Sequence, residues 1–299
     1  MSCIKRNGVE NNQGDDLLKR IEVKPPYLAL KQLGLHEDGS VSAQVVPEQP
    51  HYNELGPMAG AEAGRHLAII GSCALAAANP RPGKHFYLAQ QAKYRAHPLP
   101  KDYSLEPLYR VTATPGKIEG RVGYATTALT TVSGTPIVSL DVEYHVMSEK
   151  MFQKLFSAHR HPPTKVDPRA YQKDFLFPDH EISNSKLHAS IDSISPSACP
   201  GHFEHYPCVP VAVLMAWLTQ AAGKLLEHNF ATPMIKFRVE HATVSAERLA
   251  FANQAVHLQA EITANNSDSH SVSLVCTAND TDGMAFGGME LTLSLGHHS

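Results

Sequence analysis

Apolar and polar residues follow one pattern twice along the chain. An apolar segment runs from about Pro57 to Ala78 and is apolar or small on nearly every face, which predicts a helix that is buried all round. Proline and glycine residues at 79–83 end it. Four stretches rich in strand-forming residues follow, at 85–96, 108–116, 120–132 and 135–147. The pattern predicts one helix and then about four strands.

The second half of the chain repeats this order. A second buried helix is predicted from about Pro210 to His228, and it is followed by strand patterns at 234–245, 255–264, 270–280 and 285–295. Each helix is also preceded by an extended segment, at 28–46 and 187–195. Since a helix that is apolar on all faces must be enclosed, we expect an α+β double hotdog, in which two antiparallel sheets each wrap a central helix and pair as an internal pseudodimer.

This repeat sets the expected domain boundaries. Residues 1–16 form a polar leader expected to be disordered, 17–156 the N-terminal hotdog and 184–299 the C-terminal hotdog, with a proline-rich linker at 157–183 between them. The chain is expected to act as a monomeric pseudodimer or as a homodimer.

Composition excludes several classes of function. A formal net charge of −3 over 299 residues gives no basic field for nucleic acid. The longest apolar run, 67–78, is too short to span a bilayer, and the N-terminus has no signal-peptide core. Five dispersed cysteines without a CxxC pair indicate neither a disulfide framework nor a zinc site. A cytoplasmic protein without a metal or other cofactor is expected.

One segment carries candidate chemistry. The stretch HFEHYPCVPVAVLMAWLTQAAG, which begins at His202, resembles the active-site segment HFPGxPxxPGxxxxExxxQ of the bacterial 3-hydroxyacyl-ACP dehydratases, which are related to the polyketide synthase dehydratase domains. The matching residues are His202, Phe203, Pro207, Pro210 and Gln220. Ala216 stands where that family has its acid, and Glu204 and His205 replace the proline and glycine of the motif.

The resemblance implies that the missing acid comes from the other half. Glu62 is the only acid in the first helix, and His66 follows it at the spacing of the ExxxH helix motif of dehydratases. His51 lies eleven residues before Glu62, where the family spacing is fourteen. The expectation is therefore one composite site in which His202 is the base and Glu62 the acid.

The expected reaction is the dehydration of a 3-hydroxyacyl thioester to the 2-enoyl thioester in fatty-acid or polyketide-type biosynthesis. Phe203, Pro207 and Pro210 would contact the substrate, Gln220 and His66 would orient reacting groups, and the amide of Val211 would stabilise the oxyanion. The substrate would arrive on the phosphopantetheine arm of an acyl carrier protein or of coenzyme A. Basic residues on the strands after the helices would dock the carrier, namely Lys93, Arg95, Lys236 and Arg238.

Other interpretations stay open. Glu62 could pair with Arg65 on a helix surface, His202 could order a turn, Glu204 could be the acid, and Cys208 could be an apolar filler. At the level of function, the alternatives are a hotdog acyl thioesterase and a noncatalytic acyl-binding or assembly partner.

Overall fold

The helices occupy a small part of the chain. The computed structural model describes residues 10–100, 103–163, 165–173 and 177–296. Its α-helices are α1 (Glu10–Leu18), α2 (Gly60–Ala78), α3 (Glu149–Leu155) and α4 (Val211–Asn229), with single 3₁₀ turns at Ser157–His159 and Pro196–Ala198. In the described part of the chain, no helix is both long enough and apolar enough to cross a membrane.

The strands build most of the fold. In the first half they are β1 (Lys31–Leu35), β2 (Val41–Val45), β3 (His85–Ala96), β4 (Tyr109–Glu119), β5 (Val122–Thr131) and β6 (Pro136–Ser148). In the second half they are β7 (His180–Ser183), β8 (Lys186–Ile191), β9 (Cys208–Val209), β10 (Phe237–Ala246), β11 (Ala250–Phe251), β12 (Val256–Asn266), β13 (Ser271–Asn279) and β14 (Ala285–Leu295).

Twelve strands form one antiparallel sheet in the order β1-β2-β4-β5-β6-β3-β10-β14-β13-β12-β8-β7, and β9 pairs separately with β11. The first six positions belong to the first half and the last six to the second. They join at the centre, where residues 91–95 of β3 pair with residues 241–245 of β10. The described chain therefore has one continuous sheet where the sequence predicts two.

Each half of the sheet packs on one long helix. Helix α2 contacts β2, β4, β5 and β6, and α4 contacts β8, β12 and β13. The two helices also contact each other. Alternate residues of the strands are buried, as in Tyr109, Val111 and Ala113 of β4, because one face of the sheet covers the helices. The core thus lies between the sheet and the helix pair.

The predicted order of elements is confirmed, with shifts at the boundaries. Strand β3 occupies the predicted residues 85–96, and α2 begins at Gly60, three residues after the predicted start at Pro57. Two elements begin inside segments that were predicted to lie outside the hotdog units, and the domain boundaries stay predictions. Helix α1 begins at Glu10 within the predicted leader, whose residues 1–9 lie outside the described chain, and β7 begins at His180 within the predicted linker.

The close contact of α2 with the sheet at Gly71 gives a test of this packing. A Cβ at this position would collide with the Tyr144 hydroxyl, which donates a hydrogen bond to the Ala68 carbonyl at 2.7 Å. Gly71→Ala should therefore lower the free energy of unfolding by about 1–3 kcal/mol, measured by denaturant unfolding. Gly64→Ala is the matched control. Apart from its chain neighbours and the nearby backbone of its own helix, no described atom lies within 4 Å of its Cβ position, so the substitution should be neutral or stabilising by up to about 1 kcal/mol.

Candidate functional site

A large cavity reaches both long helices. Its volume is about 630 Å³, and α2, α4, β3, β6 and β10 all contribute to its wall. Most of the lining side chains are apolar, and they include Ala68, Ile69, Leu140, Val142, Val211, Met215, Val239, Val244 and Leu291. A cavity of this size and character can hold a small apolar ligand or an acyl chain.

A smaller pocket adjoins this cavity. Its volume is about 160 Å³, and its wall comes from the loop before α2, from α4 and from the start of β10. Ala61 and Thr219 line both spaces. The polar lining residues of the small pocket include His51, Asn53, Glu54, Gln220 and Lys224.

The two spaces occupy equivalent positions in the two halves. Helices α2 and α4 both have 19 residues, and His51 and His202 each lie nine residues before the first helical residue. Arg65 of α2 and Ala216 of α4 are equally far from the first residue of their helices, so these two positions correspond. The large cavity joins the His202 loop to Arg65 of α2, and the small pocket joins the His51 loop to Ala216 of α4. Each space is therefore a composite of both halves.

His202 lies in the wall of the large cavity as a neutral ring. Its Nδ1 is 3.2 Å from the Cys208 carbonyl oxygen, and because a carbonyl only accepts, Nδ1 carries the proton and Nε2 is an acceptor. The ring stacks on Phe203 at 4.2 Å and meets the edge of Tyr27 at 4.9 Å between centroids. Burial lowers the pKa of His202 to about 4, although the hydrogen bond to Cys208 opposes this effect.

Glu62, the predicted acid, lines neither space. Its fully buried carboxylate accepts hydrogen bonds from the backbone N–H groups of Glu48 at 2.8 Å and Gln49 at 3.2 Å. The α2 residues that line the large cavity recur at helical spacing, at Gly60, Ala61, Gly64, Arg65 and Ala68, and Glu62 lies outside this stripe. The structure therefore does not bring Glu62 to the cavity of His202. Glu62 holds the loop before α2 in place.

Glu48, Glu62 and His66 place three possible metal-ligand atoms within 4.8 Å of one another. The guanidinium of Arg65 already pairs with Glu48, and both oxygens of Glu62 already accept N–H groups. His66 Nε2 lies 3.6 Å from Glu62, and burial lowers the pKa of His66. We therefore assign this cluster to an internal ion-pair network and not to a metal.

Glu54 is the buried carboxylate of the small pocket. It accepts a hydrogen bond from the backbone N–H of Gly60 at 2.7 Å, and so it caps helix α2. Its loop is bonded to β10, because the Leu55 N–H donates to the Phe237 carbonyl at 2.6 Å. Burial raises the pKa of Glu54 to about 7, an effect to which nearby Glu62 adds and which the Gly60 N–H opposes.

Glu54 lies close to the boundary between the two spaces. A Cβ on Gly60 would be 3.0 Å from Glu54 Oε1 and 3.5 Å from the hydroxyl of Tyr94. Gly60 and Tyr94 both line the large cavity, whereas Glu54 lines the small pocket. Because glycine has no side chain, the Glu54 carboxylate and the Tyr94 hydroxyl can both lie this close to position 60.

Gln220 supplies a hydrogen-bond donor to the small pocket. Its Nε2 is buried and has no hydrogen-bond partner among the described residues. Thr219, its neighbour on α4, lines both spaces. The pocket thus combines a carboxylate that titrates near neutral pH with an amide donor, a combination that suits the activation of water beside a carbonyl group.

The remaining predicted residues are placed as follows. Phe203 and Val211 line the large cavity, whereas Pro207 and Pro210 are buried outside both linings, and Pro210 precedes the first residue of α4. Glu204 is exposed, and Cys208 is a buried thiol whose pKa burial raises well above its usual range. Such a thiol is not a nucleophile.

The predicted docking residues lie on the central strands β3 and β10 and just before β10. Lys93 and Arg95 are exposed on β3 opposite Thr243 and His241 of β10. Lys236 donates to the Tyr52 carbonyl at 3.3 Å, beside the small pocket. The Arg238 guanidinium donates a hydrogen bond to the His97 carbonyl oxygen.

Comparisons with known proteins support the fold. No protein-family model and no curated protein matches the sequence. Among solved structures, the chain is similar to an acyl-ACP thioesterase from Bacteroides thetaiotaomicron (10% identity, 86% of this chain and 99% of the other, TM-score 0.55). It is also similar to an acyl-CoA thioesterase II from Mycobacterium marinum (10% identity, 89% and 96%, TM-score 0.53). A third match is a conserved protein of unknown function with a hotdog fold from Alicyclobacillus acidocaldarius (11% identity, 91% and 97%, TM-score 0.50).

These likenesses correct the interpretation of the activity. The hotdog fold expected from the sequence is supported, but the dehydratase function and the lyase class are contradicted, because the similar structures are named thioesterases, which are hydrolases. The geometry agrees, since the expected pair of His202 and Glu62 does not share a cavity. The segment at His202 that resembles the dehydratase motif forms a loop in the cavity wall. It does not indicate a dehydratase.

Two residues of the site were missed by sequence reasoning. Arg65 could have been found by counting fourteen residues from His51, since His202 and Ala216 have the same spacing. Glu54 has no comparable pattern, because its burial and its position at the helix end depend on β10, far away in the chain.

Proposed function

We propose that this protein hydrolyses acyl thioesters, with the acyl chain in the large cavity and the thioester beside Glu54. The observation that carries the proposal is the position of Glu54, a buried carboxylate that lines the small pocket and lies close to Gly60 in the wall of the apolar cavity. Support also comes from the thioesterases of similar fold. The proposal treats the chain as a double hotdog, with two hotdog units fused as an internal pseudodimer.

The proposed reaction begins with general base catalysis. Glu54 removes a proton from a water molecule, and the water oxygen attacks the thioester carbon. The Gln220 amide and the Thr219 hydroxyl donate to the oxyanion that forms. When the carbon–sulfur bond breaks, protonated Glu54 returns its proton to the leaving thiolate. The products are a carboxylic acid and a free thiol.

The proposed carrier is an acyl carrier protein or coenzyme A, and both present a phosphopantetheine thiol. The small pocket would receive the thiol end of this arm, which carries the thioester. No cofactor enters the proposed reaction.

A specific observation favours a second function, noncatalytic acyl binding. Arg65 and Ala216 occupy equivalent positions on the two helices, and neither side chain is an acid. If Glu54 does not activate water, the large cavity still offers a binding site for an acyl chain. Binding without release of thiol from any acyl thioester would identify this function.

The first prediction concerns Glu54. Glu54→Gln keeps the shape of the side chain but removes the base, and it should lower kcat for thiol release from acyl-CoA by about a hundredfold or more, since a general base contributes roughly 10²–10⁴-fold. The measurement is a thiol-detecting assay under saturating substrate.

Glu62→Gln is the matched control. This carboxylate lies on α2, outside both spaces, and its loss should reduce stability by about 1–3 kcal/mol through the weakened loop contacts. Because Glu62 helps to raise the pKa of Glu54, kcat is compared well above pH 7, where Glu54 is ionised in both proteins, and there kcat of the folded variant should be unchanged. An equal loss of kcat in both variants, or none in Glu54→Gln, contradicts the assignment of the base.

A second prediction concerns pH. Because the ionised form of Glu54 is the active one and its pKa is about 7, kcat/KM should rise as the pH increases through about 7 and then reach a plateau. The test is a pH profile of thiol release between the limits of stability. A profile that is flat across this range, or that falls with increasing pH, contradicts the proposed base.

A further inference from the structure

Arg65 is the unexplained charged group of the large cavity. Its side chain has no solvent-exposed surface, yet it belongs to the cavity wall. The guanidinium Nη2 is paired with Glu48, whereas Nε and Nη1 have no hydrogen-bond partner among the described residues. Buried donors without an acceptor are costly, at about 1–3 kcal/mol each, and are rare in native proteins.

Other side chains hold this group in place. The guanidinium carbon lies 5.6 Å from the ring centre of Tyr27 and 5.3 Å from that of Tyr171, and both rings make cation–π contacts with it. Tyr27 also contacts His202, at 4.9 Å between centroids. Arg65 and His202 therefore both contact the same tyrosine, and all three residues line the cavity.

The two groups offer complementary hydrogen bonding. Arg65 has donors only, and the unprotonated Nε2 of His202 is an acceptor. Because Glu48 already compensates the charge of Arg65, the ligand does not need to be an anion. A hydroxyl group accepts from Arg65 and donates to a histidine, and it adds no charge. A plain alkyl chain would leave both groups without a partner.

We infer that the acyl group taken by the large cavity carries a hydroxyl group along its chain, which Arg65 recognises with His202 beside it. This inference rests on the proposed function for the thioester but concerns a different part of the site. The hydroxyl is bound and does not react. Arg65 is a specificity residue, and the equivalent Ala216 gives the small pocket no such group.

Binding of analogues tests this inference without any turnover. The probes are ketone analogues of acyl-CoA, in which a methylene replaces the sulfur, matched in chain length and carrying no substituent, one hydroxyl at successive positions, or a terminal carboxylate. Calorimetry on the wild-type protein should find at least one hydroxylated analogue that binds about tenfold or more tightly than the plain one, since a hydrogen bond to a charged group contributes this much. If the plain or the carboxylate analogue binds as tightly as every hydroxylated one, the inference is overturned.

Variants then locate the effect. The double variant Arg65→Met with Glu48→Gln removes the pair without leaving an unpaired carboxylate, and it should abolish the preference for the hydroxyl, whereas Glu48→Gln alone should keep it. A preference retained in a folded double variant overturns the role of Arg65. If the double variant does not fold, the wild-type series alone decides.

The inference and the proposed function can fail separately. A hydroxyl preference in binding, together with no thiol release from any thioester, supports the inference and rejects hydrolysis. Thiol release without any preference among the analogues does the opposite.

Discussion

The pairing of β3 with β10 is the constraint on which the site depends. Five residues of each strand join the two halves of the sheet, and this junction sets α2 and α4 against each other. Both candidate spaces take one wall from each half, so neither exists in a half alone. The bonds between the Glu54 loop and Phe237 of β10 reinforce the same junction. The packing between the two halves therefore also determines which side chains meet at their boundary.

The two halves have the same backbone plan but different site chemistry. The space that contains His51 is lined by the Glu54 carboxylate, the Gln220 amide and the small side chain of Ala216. In the space that contains His202, Arg65 fills the equivalent position, and the wall is mainly apolar. In a chain with two similar units, one space can serve as the reaction centre and the other can bind the acyl chain. The proposed division of a reacting pocket and a recognising cavity follows from this asymmetry.

The order of helices and strands could be predicted because it depends on local periodicity. Strand β3 is an example, since its bounds follow from the residues between two turns. The single continuous sheet could not be predicted, because the pairing of β3 with β10 joins residues about 150 positions apart and leaves no local pattern. The extra helix α1 was missed for a simpler reason, because its sequence is polar and lacks an apolar stripe.

The candidate site was predictable only in part. The loop of His202 was recognised from its motif. The predicted role of Glu62 was wrong, because successive side chains on an α-helix point about 100° apart around the helix axis. That rotation separates Glu62 from the stripe of Ala61 and Arg65. Glu54 acquires its raised pKa from burial by distant residues, which no sequence pattern encodes. Tertiary packing, and not spacing, decides which carboxylate can act as a base.

The most direct measurement is a crystal structure of the protein with a ketone analogue of an acyl-CoA. The account predicts that the alkyl chain lies in the large cavity, that the ketone oxygen accepts a hydrogen bond from Gln220 or Thr219, and that Glu54 is next to the carbonyl carbon. An analogue bound with its carbonyl beside Glu62, or with its chain outside the cavity, would contradict the account.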